Sequence, residues 1–245
     1  MWCFTFLIYS FQSPLPWGVS QEEYEAGIFW KEDYFKQEFL GTTDSIFDIR
    51  NHSLWIMISF IACAILTFTT VFEGMDTSKF AVYIIIPLPY IIMTILFIKG
   101  LFLEGNTIGW KFIFSCDWDK LFTLQIWRDA VGQVLFSSGI GVNLTIHFSS
   151  LNPRRQKILL PAIALPVMNF LTSIFAASTL FAYIGHASYK SGILIQDMPI
   201  EGQELAFVAY PAIINTFPLA QLWSVLFFSM LVSIGLGSEY AFFDS

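Results

Sequence analysis

Gln133 and Ser137 stand four residues apart, and Asn169 and Ser173 repeat that interval. At helical pitch each pair shares one face. In an apolar setting such amides and hydroxyls have two uses. They hydrogen-bond between helices, as Ser, Asn and Gln commonly do, or they converge as an ion cage that replaces a hydration shell. Spacing leaves both open. Beyond Ser137 runs Gly139-Ile140-Gly141-Val142-Asn143, residues that tolerate left-handed backbone at little cost. The run is either a glycine kink for close packing or an unwound helix whose freed carbonyls and N–H groups bind ligands. Ser233-Ile234-Gly235-Leu236-Gly237-Ser238-Glu239 suits close helix contact or a cation site of carbonyl and Ser oxygens. His147 is a hydrogen-bonded interior His or a proton relay. No paired carboxylates, metal cluster or nucleophile constellation appears, which argues against an enzyme. Cys3, Cys63 and Cys116 lie far apart, without a CxxC or a nearby His, and imply neither a disulfide framework nor a zinc site.

These polar residues need apolar elements to hold them. The 245 residues are 56% hydrophobic and 13% charged, with 27 Phe and a mean hydropathy of +0.64. Soluble domains carry about 25% charged residues, so the composition is that of a polytopic membrane protein. Twelve Lys+Arg against 19 Asp+Glu give a net charge of −7, which excludes a nucleic-acid footprint.

Uncharged stretches then locate the spans. Leu54–Phe72, Phe80–Ile98, Ala130–Ser150 and Ile158–Gly185 are each long enough to cross about 30 Å of hydrocarbon. Leu205–Ser238 is divided by Pro211 and Pro218, leaving Phe217–Gly237 as a membrane helix. The organisation expected is therefore 1–17 as the end of a membrane helix and 18–53 as an outer loop. Membrane helices follow at 54–72, 80–102, 128–150, 157–186 and 217–241, with an outer hairpin at 200–216. Met1–Ser20 lacks a basic start and a small-residue cleavage site, so it reads as a helix stub rather than a signal peptide. Arg154, Arg155 and Lys157 sit in a short connection without acids, which places that loop inside and 18–53, 103–127 and 187–216 outside. Asn51-His52-Ser53 matches a glycosylation sequon but abuts the membrane; Asn143-Leu144-Thr145 matches within a span.

Motifs that follow one another in order along the chain give it a resemblance to the neurotransmitter:sodium symporter family. Ser10–Trp17, ending Leu15-Pro16-Trp17, resembles the end of the family's third helix, and Asp33-Tyr34-Phe35 its second outer loop. Pro89-Tyr90 with Lys99-Gly100 is similar to helix five. Trp127–Gly141 resembles the W-x-D-A-x-x-Q-x-F-F-S-L-G-x-G run of helix six. Asn169–Ala176 resembles N-S-L-T-S-I-F-A of helix seven, and Leu205–Pro211 matches the LAFVxYP of the fourth outer loop.

The resemblance implies an all-α polytopic membrane protein with part of the inverted-repeat transporter fold of the bacterial leucine transporter, including one discontinuous helix. It covers the end of helix three through helix eight, so that 1–245 reads as a single partial, truncated transporter domain in the plasma membrane. It implies sodium- and chloride-coupled symport of an amino acid, neurotransmitter or related amine. Ser137 and Asn169 are assigned to the first sodium site, and Ile234 (by its carbonyl) and Ser238 to the second. Gln133, Ser137, Asn169 and Ser173 are assigned to chloride, and Phe136, Gly139, Val142 and Ser238 to substrate. Where Ser173 stands, chloride-independent bacterial members carry a carboxylate, so a bound anion is expected to supply that charge. Gly237 replaces the acid of the family's GLDS, which weakens the second sodium site. The alternative is a transport-dead short membrane protein that associates with full-length relatives. Either way the expected partners are the lipid bilayer and a small solute, with no nucleic acid, and 1–245 alone is expected to show no sodium-dependent uptake.

Overall fold

Helices satisfy their own backbone hydrogen bonds, and a chain this apolar must do so wherever water is excluded. The structure, a computed structural model, describes residues 1–20, 23, 31, 34–42, 54–71, 83, 85–115, 118–140, 146, 149, 150, 152, 153, 155, 157–198 and 202–244. Among them there is no strand. The helices are α1 (Trp2–Tyr9), α2 (Leu54–Val71), α3 (Pro87–Leu101), α4 (Asn106–Phe114), α5 (Leu124–Ser137), α6 (Leu159–Ser191), α7 (Tyr210–Asn215) and α8 (Ala220–Asp244). Two π-helical turns, Tyr34–Phe39 and Leu205–Ala209, lie in the segments between them.

By length and composition α6 and the Ala220–Glu239 part of α8 suffice to cross a membrane, while Leu54–Thr69 of α2 is a shorter apolar helix. The expected helix 157–186 runs on to Ser191 and stops where Gly192 takes φ +69°. Pro166 sits inside it without ending it, since neighbours re-satisfy the freed carbonyl in membrane helices. The expected hairpin at 200–216 consists of the Leu205–Ala209 turn followed by α7, whose residues from Tyr210 to Ile214 are buried.

The segment 103–127, placed outside between spans by the sequence, carries α4. The physical reason is a glycine seam. Gly105 turns the chain at φ +83°, and a Cβ on Gly109 would collide with the Phe181 carbonyl of α6. A Cβ on Gly185 would collide in turn with the backbone at Gly109. Small residues thus let the two backbones touch. The Trp110 indole Nε1–H donates to the Ser178 carbonyl at 2.9 Å, and His186 Nδ1 lies 2.8 Å from the Glu104 carbonyl.

The core away from that seam is aromatic. Phe6 is fully buried, with ring centroids of Phe39 at 4.7 Å, Trp17 and Phe228 at 5.0 Å and Phe207 at 5.1 Å. It joins α1, both π-helical turns and α8, and each such ring pair adds about 0.5–1.5 kcal/mol beyond burial. Polar bonds register the helices at depth. Thr5 Oγ1 donates to Ser59 Oγ at 2.8 Å, Thr67 Oγ1 to Glu239 Oε2 at 2.9 Å, and the Tyr183 hydroxyl to the Leu96 carbonyl at 2.9 Å. In the loop segments, Lys36 of the first π-helical turn pairs with Glu204, the residue just before the second, at 2.8 Å.

Candidate functional site

The site begins where α5 ends. The Ser138 N–H closes on the Val134 carbonyl, and the Gly139 N–H on Phe136 at 3.1 Å. Gly139 then takes φ +69°, a conformation that costs a residue with a Cβ about 1–2 kcal/mol. The chain therefore leaves the helix at Gly139. The continuation expected over Val142–Ser150 falls largely outside the described residues, and Val142 and His147 lie wholly outside them.

Facing that end is α6. The Asn169 Nδ2–H donates to Ser137 Oγ at 3.0 Å, and Ser137 Oγ lies 3.4 Å from the Val134 carbonyl as a weak donor. Ser173 stands one turn along α6, and its hydroxyl donates to the Asn169 carbonyl at 2.8 Å. Gln133, one turn before Ser137, is exposed. The structure thus brings Ser137 and Asn169 together, holds Ser173 against Asn169, and leaves Gln133 on the α5 surface.

Beside the pair opens a cavity of about 830 Å³ between α3, the end of α5, α6, the Leu205–Tyr210 segment and α8. Phe136, Ser137, Gly139, Ile234 and Ser238 all line it. The Ser238 hydroxyl donates to the Ile234 carbonyl at 3.1 Å, so the two residues assigned to a second cation site meet within one helical turn. Gly237 also lines the wall, where an added Cβ would meet only Ile85 Cγ2, at 3.6 Å. A Cβ at 237 is in ordinary van der Waals contact.

Most of the lining residues were not anticipated as site residues, and two of these meet across helices. The Tyr90 hydroxyl of α3 and Thr172 Oγ1 of α6 lie 3.4 Å apart. Tyr90 entered the sequence reading only as a landmark, and Thr172 only as part of a motif. The signal that could have found Thr172 is its place three residues after Asn169, on the neighbouring edge of the same face. Tyr210 closes the cavity at the loop side. Burial, with Tyr183 nearby, pushes its phenol well above the ordinary range, so it stays neutral.

Around Ser137 and Asn169 the groups are neutral amides and hydroxyls, whose N–H and O–H groups can face an anion and whose oxygens can face a cation. For sodium, Ser137 and Asn169 supply two neutral oxygens.

The chain was compared with known proteins. The profile of the "Sodium:neurotransmitter symporter family" matches residues 26–245. A creatine transporter of Torpedo marmorata is 30% identical over 98% of this chain and 42% of its own length. The sodium- and chloride-dependent glycine transporter 1 of Xenopus laevis is 29% identical over 87% of the chain and 34% of its own length. The sodium-dependent dopamine transporter of Caenorhabditis elegans is 29% identical over 98% and 45%. The chain thus spans less than half the length of these relatives. With a family match over nearly the whole sequence and apolar helices to cross the bilayer, this integral, multi-pass membrane chain belongs to the sodium:neurotransmitter symporter family, whose members are transporters rather than enzymes.

Proposed function

We propose that the chain carries an ion site and a substrate cavity for sodium- and chloride-coupled symport of an amino acid or related amine. The observation that supports this most is the Asn169–Ser137 hydrogen bond at the end of α5, beside the cavity. Discontinuous helices with freed backbone groups are where secondary transporters bind ions and substrate. In this reading Ser137 and Asn169 offer oxygens to a first sodium ion, and Ser238 and the Ile234 carbonyl offer oxygens to a second. Gln133, Ser137, Asn169 and Ser173 would hold chloride, which would supply there the negative charge that a carboxylate at 173 could supply instead. Phe136, Gly139, Val142 and Ser238 would contact the solute.

The test is a graft. Residues 26–245 replace the matching part of the Torpedo creatine transporter, and uptake is measured in sodium chloride, sodium gluconate and choline chloride. The expected result is uptake that needs both ions, with Ser173→Glu relieving the chloride requirement alone. Uptake indifferent to chloride with Ser173 in place overturns the anion assignment.

A second reading has its own observation. The family's acid is absent at Gly237 although a Cβ there would meet no clash, which fits relaxed demand on the second sodium site. In that reading the chain acts by associating with full-length relatives. Co-expression with a full-length transporter discriminates, since association alters that transporter's surface level or uptake and the first reading predicts neither.

A further inference from the structure

We propose that Lys99, held against the rings of Phe217 and Trp223, binds the headgroup phosphate of a membrane glycerophospholipid, whose acyl chain lies along the exposed apolar face of α3 beneath it.

The argument starts from a cation that has rings where others have acids. Lys31, Lys36 and Lys190 each meet a carboxylate, at 3.3, 2.8 and 3.7 Å. Among the described residues no carboxylate pairs with Lys99. Its Nζ lies instead 5.5 Å from the Phe217 ring centroid and 5.8 Å from that of Trp223, within reach of a cation–π attraction. The Trp223 ring is itself held, because its indole N–H donates to the Pro218 carbonyl at 3.2 Å. Two rings therefore fix where the ammonium sits. They attract its charge but offer no oxygen to its three N–H donors, which leaves those donors for an anion.

The place in the fold decides which anion. Lys99 lies two residues before Leu101, the last of α3, and Trp223 three residues after Ala220, the first of α8. At 1.5 Å per residue both stand within about 5 Å of a helix end, and their contact sets the two ends level. Ala220 also opens the part of α8 that suffices to cross a membrane, so the level is that of the headgroups, where Trp and Lys anchor membrane helices. Ile91 and Ile95, eight and four residues before Lys99, share its helix face and are 57% and 41% exposed. A fixed ammonium at headgroup depth thus stands above an apolar track that runs inward. A phospholipid has the matching layout, phosphate above and acyl chain below, whereas a free anion would use the ammonium and leave the track bare.

The experiment uses the full chain in maltoside detergent with phosphatidylglycerol that carries a photoreactive diazirine beside its headgroup. Peptide mass spectrometry then locates the adducts. Labelling is expected within 91–102 and 217–226, and Lys99→Gln should lower it about fivefold, the worth of one basic side chain at a lipid surface. Lys99→Arg should retain it. A galactolipid with the same acyl chains and diazirine, which lacks the phosphate, should label the unaltered chain no better than phosphatidylglycerol labels Lys99→Gln. If Lys99→Gln fails to fold, the comparison of the two lipids on the unaltered chain carries the test. Equal labelling by the two lipids, equal labelling of Lys99→Gln, or adducts confined to other segments overturns the site. Displacement of the lipid by an equal concentration of inorganic phosphate, at constant ionic strength, overturns it too, because the acyl chain would then contribute nothing.

Discussion

Asn169 of α6 reaches across to Ser137 on the last turn of α5, amide to hydroxyl, at 3.0 Å. The bond joins the point where one helix stops to the middle of a helix that continues. It therefore fixes where the Gly139 turn sits relative to the cavity wall, whether or not an ion is held there.

The first prediction follows from that bond. Ser137→Ala and Asn169→Ala should each lower the thermal stability of the chain in nanodiscs, and the double variant should lose less than their sum. Hydrogen bonds between membrane helices average about 0.6 kcal/mol in double-mutant cycles, so that coupling energy is expected. A cycle that closes at zero would mean that the two side chains act independently.

The α4–α6 seam yields a second prediction. Gly109 and Gly185 meet backbone against backbone, and no side chain can swing aside to admit a methyl group. Gly109→Ala or Gly185→Ala should cost about 1–3 kcal/mol, as overpacking does. Gly132→Ala, where a Cβ meets nothing within 4 Å, should be neutral or slightly stabilising through helix propensity. The check is the ranking of the three unfolding midpoints. Equal midpoints for all three would remove the seam as the reason α4 docks.

A third prediction concerns pH. The Ser20 N–H donates to Glu23 Oε2 at 2.8 Å while the Glu23 N–H donates to Ser20 Oγ at 3.2 Å, a reciprocal capping box. The Ser20 backbone N–H, then its hydroxyl, then Lys31 hold the Glu23 carboxyl below its usual value. A depressed carboxylate contributes stability that is present above its unfolded pKa and is lost as pH falls through the folded one. Carbon-13 NMR of the Glu23 carboxyl should therefore titrate below the ordinary Glu range, and Ser20→Ala should move the midpoint upward. A midpoint unmoved by Ser20→Ala would show that the cap does not persist in solution.

What was legible lay within single elements: the uncharged stretch that became α6, and the turn at Gly139, a residue that admits positive φ. The helix α4 was not legible that way. Asn106–Phe114 contains Lys111 and two polar residues at its start, and what makes it a docked helix is Gly185, far along the chain. The Tyr90–Thr172 pair was hidden for the same reason, since its members lie 82 residues apart. Spacing reveals residues that share an element, as Asn169 and Ser173 do. Pairs made by packing two elements leave no trace in local spacing.

The last prediction is negative. Sodium sheds its water only where several oxygens replace it, and Ser137 and Asn169 offer two neutral ones, Ser137 Oγ already accepting from the Asn169 amide N–H. The Ser238 hydroxyl donates to the Ile234 carbonyl, which occupies part of that carbonyl's accepting capacity, and Gly237 adds no charge. An ion leaving water for these groups alone exchanges a full hydration shell for a fraction of one, in a setting where an uncompensated charge costs several kcal/mol. Expressed by itself, 1–245 should show no sodium-dependent uptake above background of creatine, glycine or an aromatic amine. Grafting the remaining length of a relative onto it should restore uptake, because the added helices bring further oxygens to the same centre. Chloride-sensitive, sodium-driven uptake by 1–245 alone would show instead that the oxygens gathered around Ser137 and Ser238 suffice.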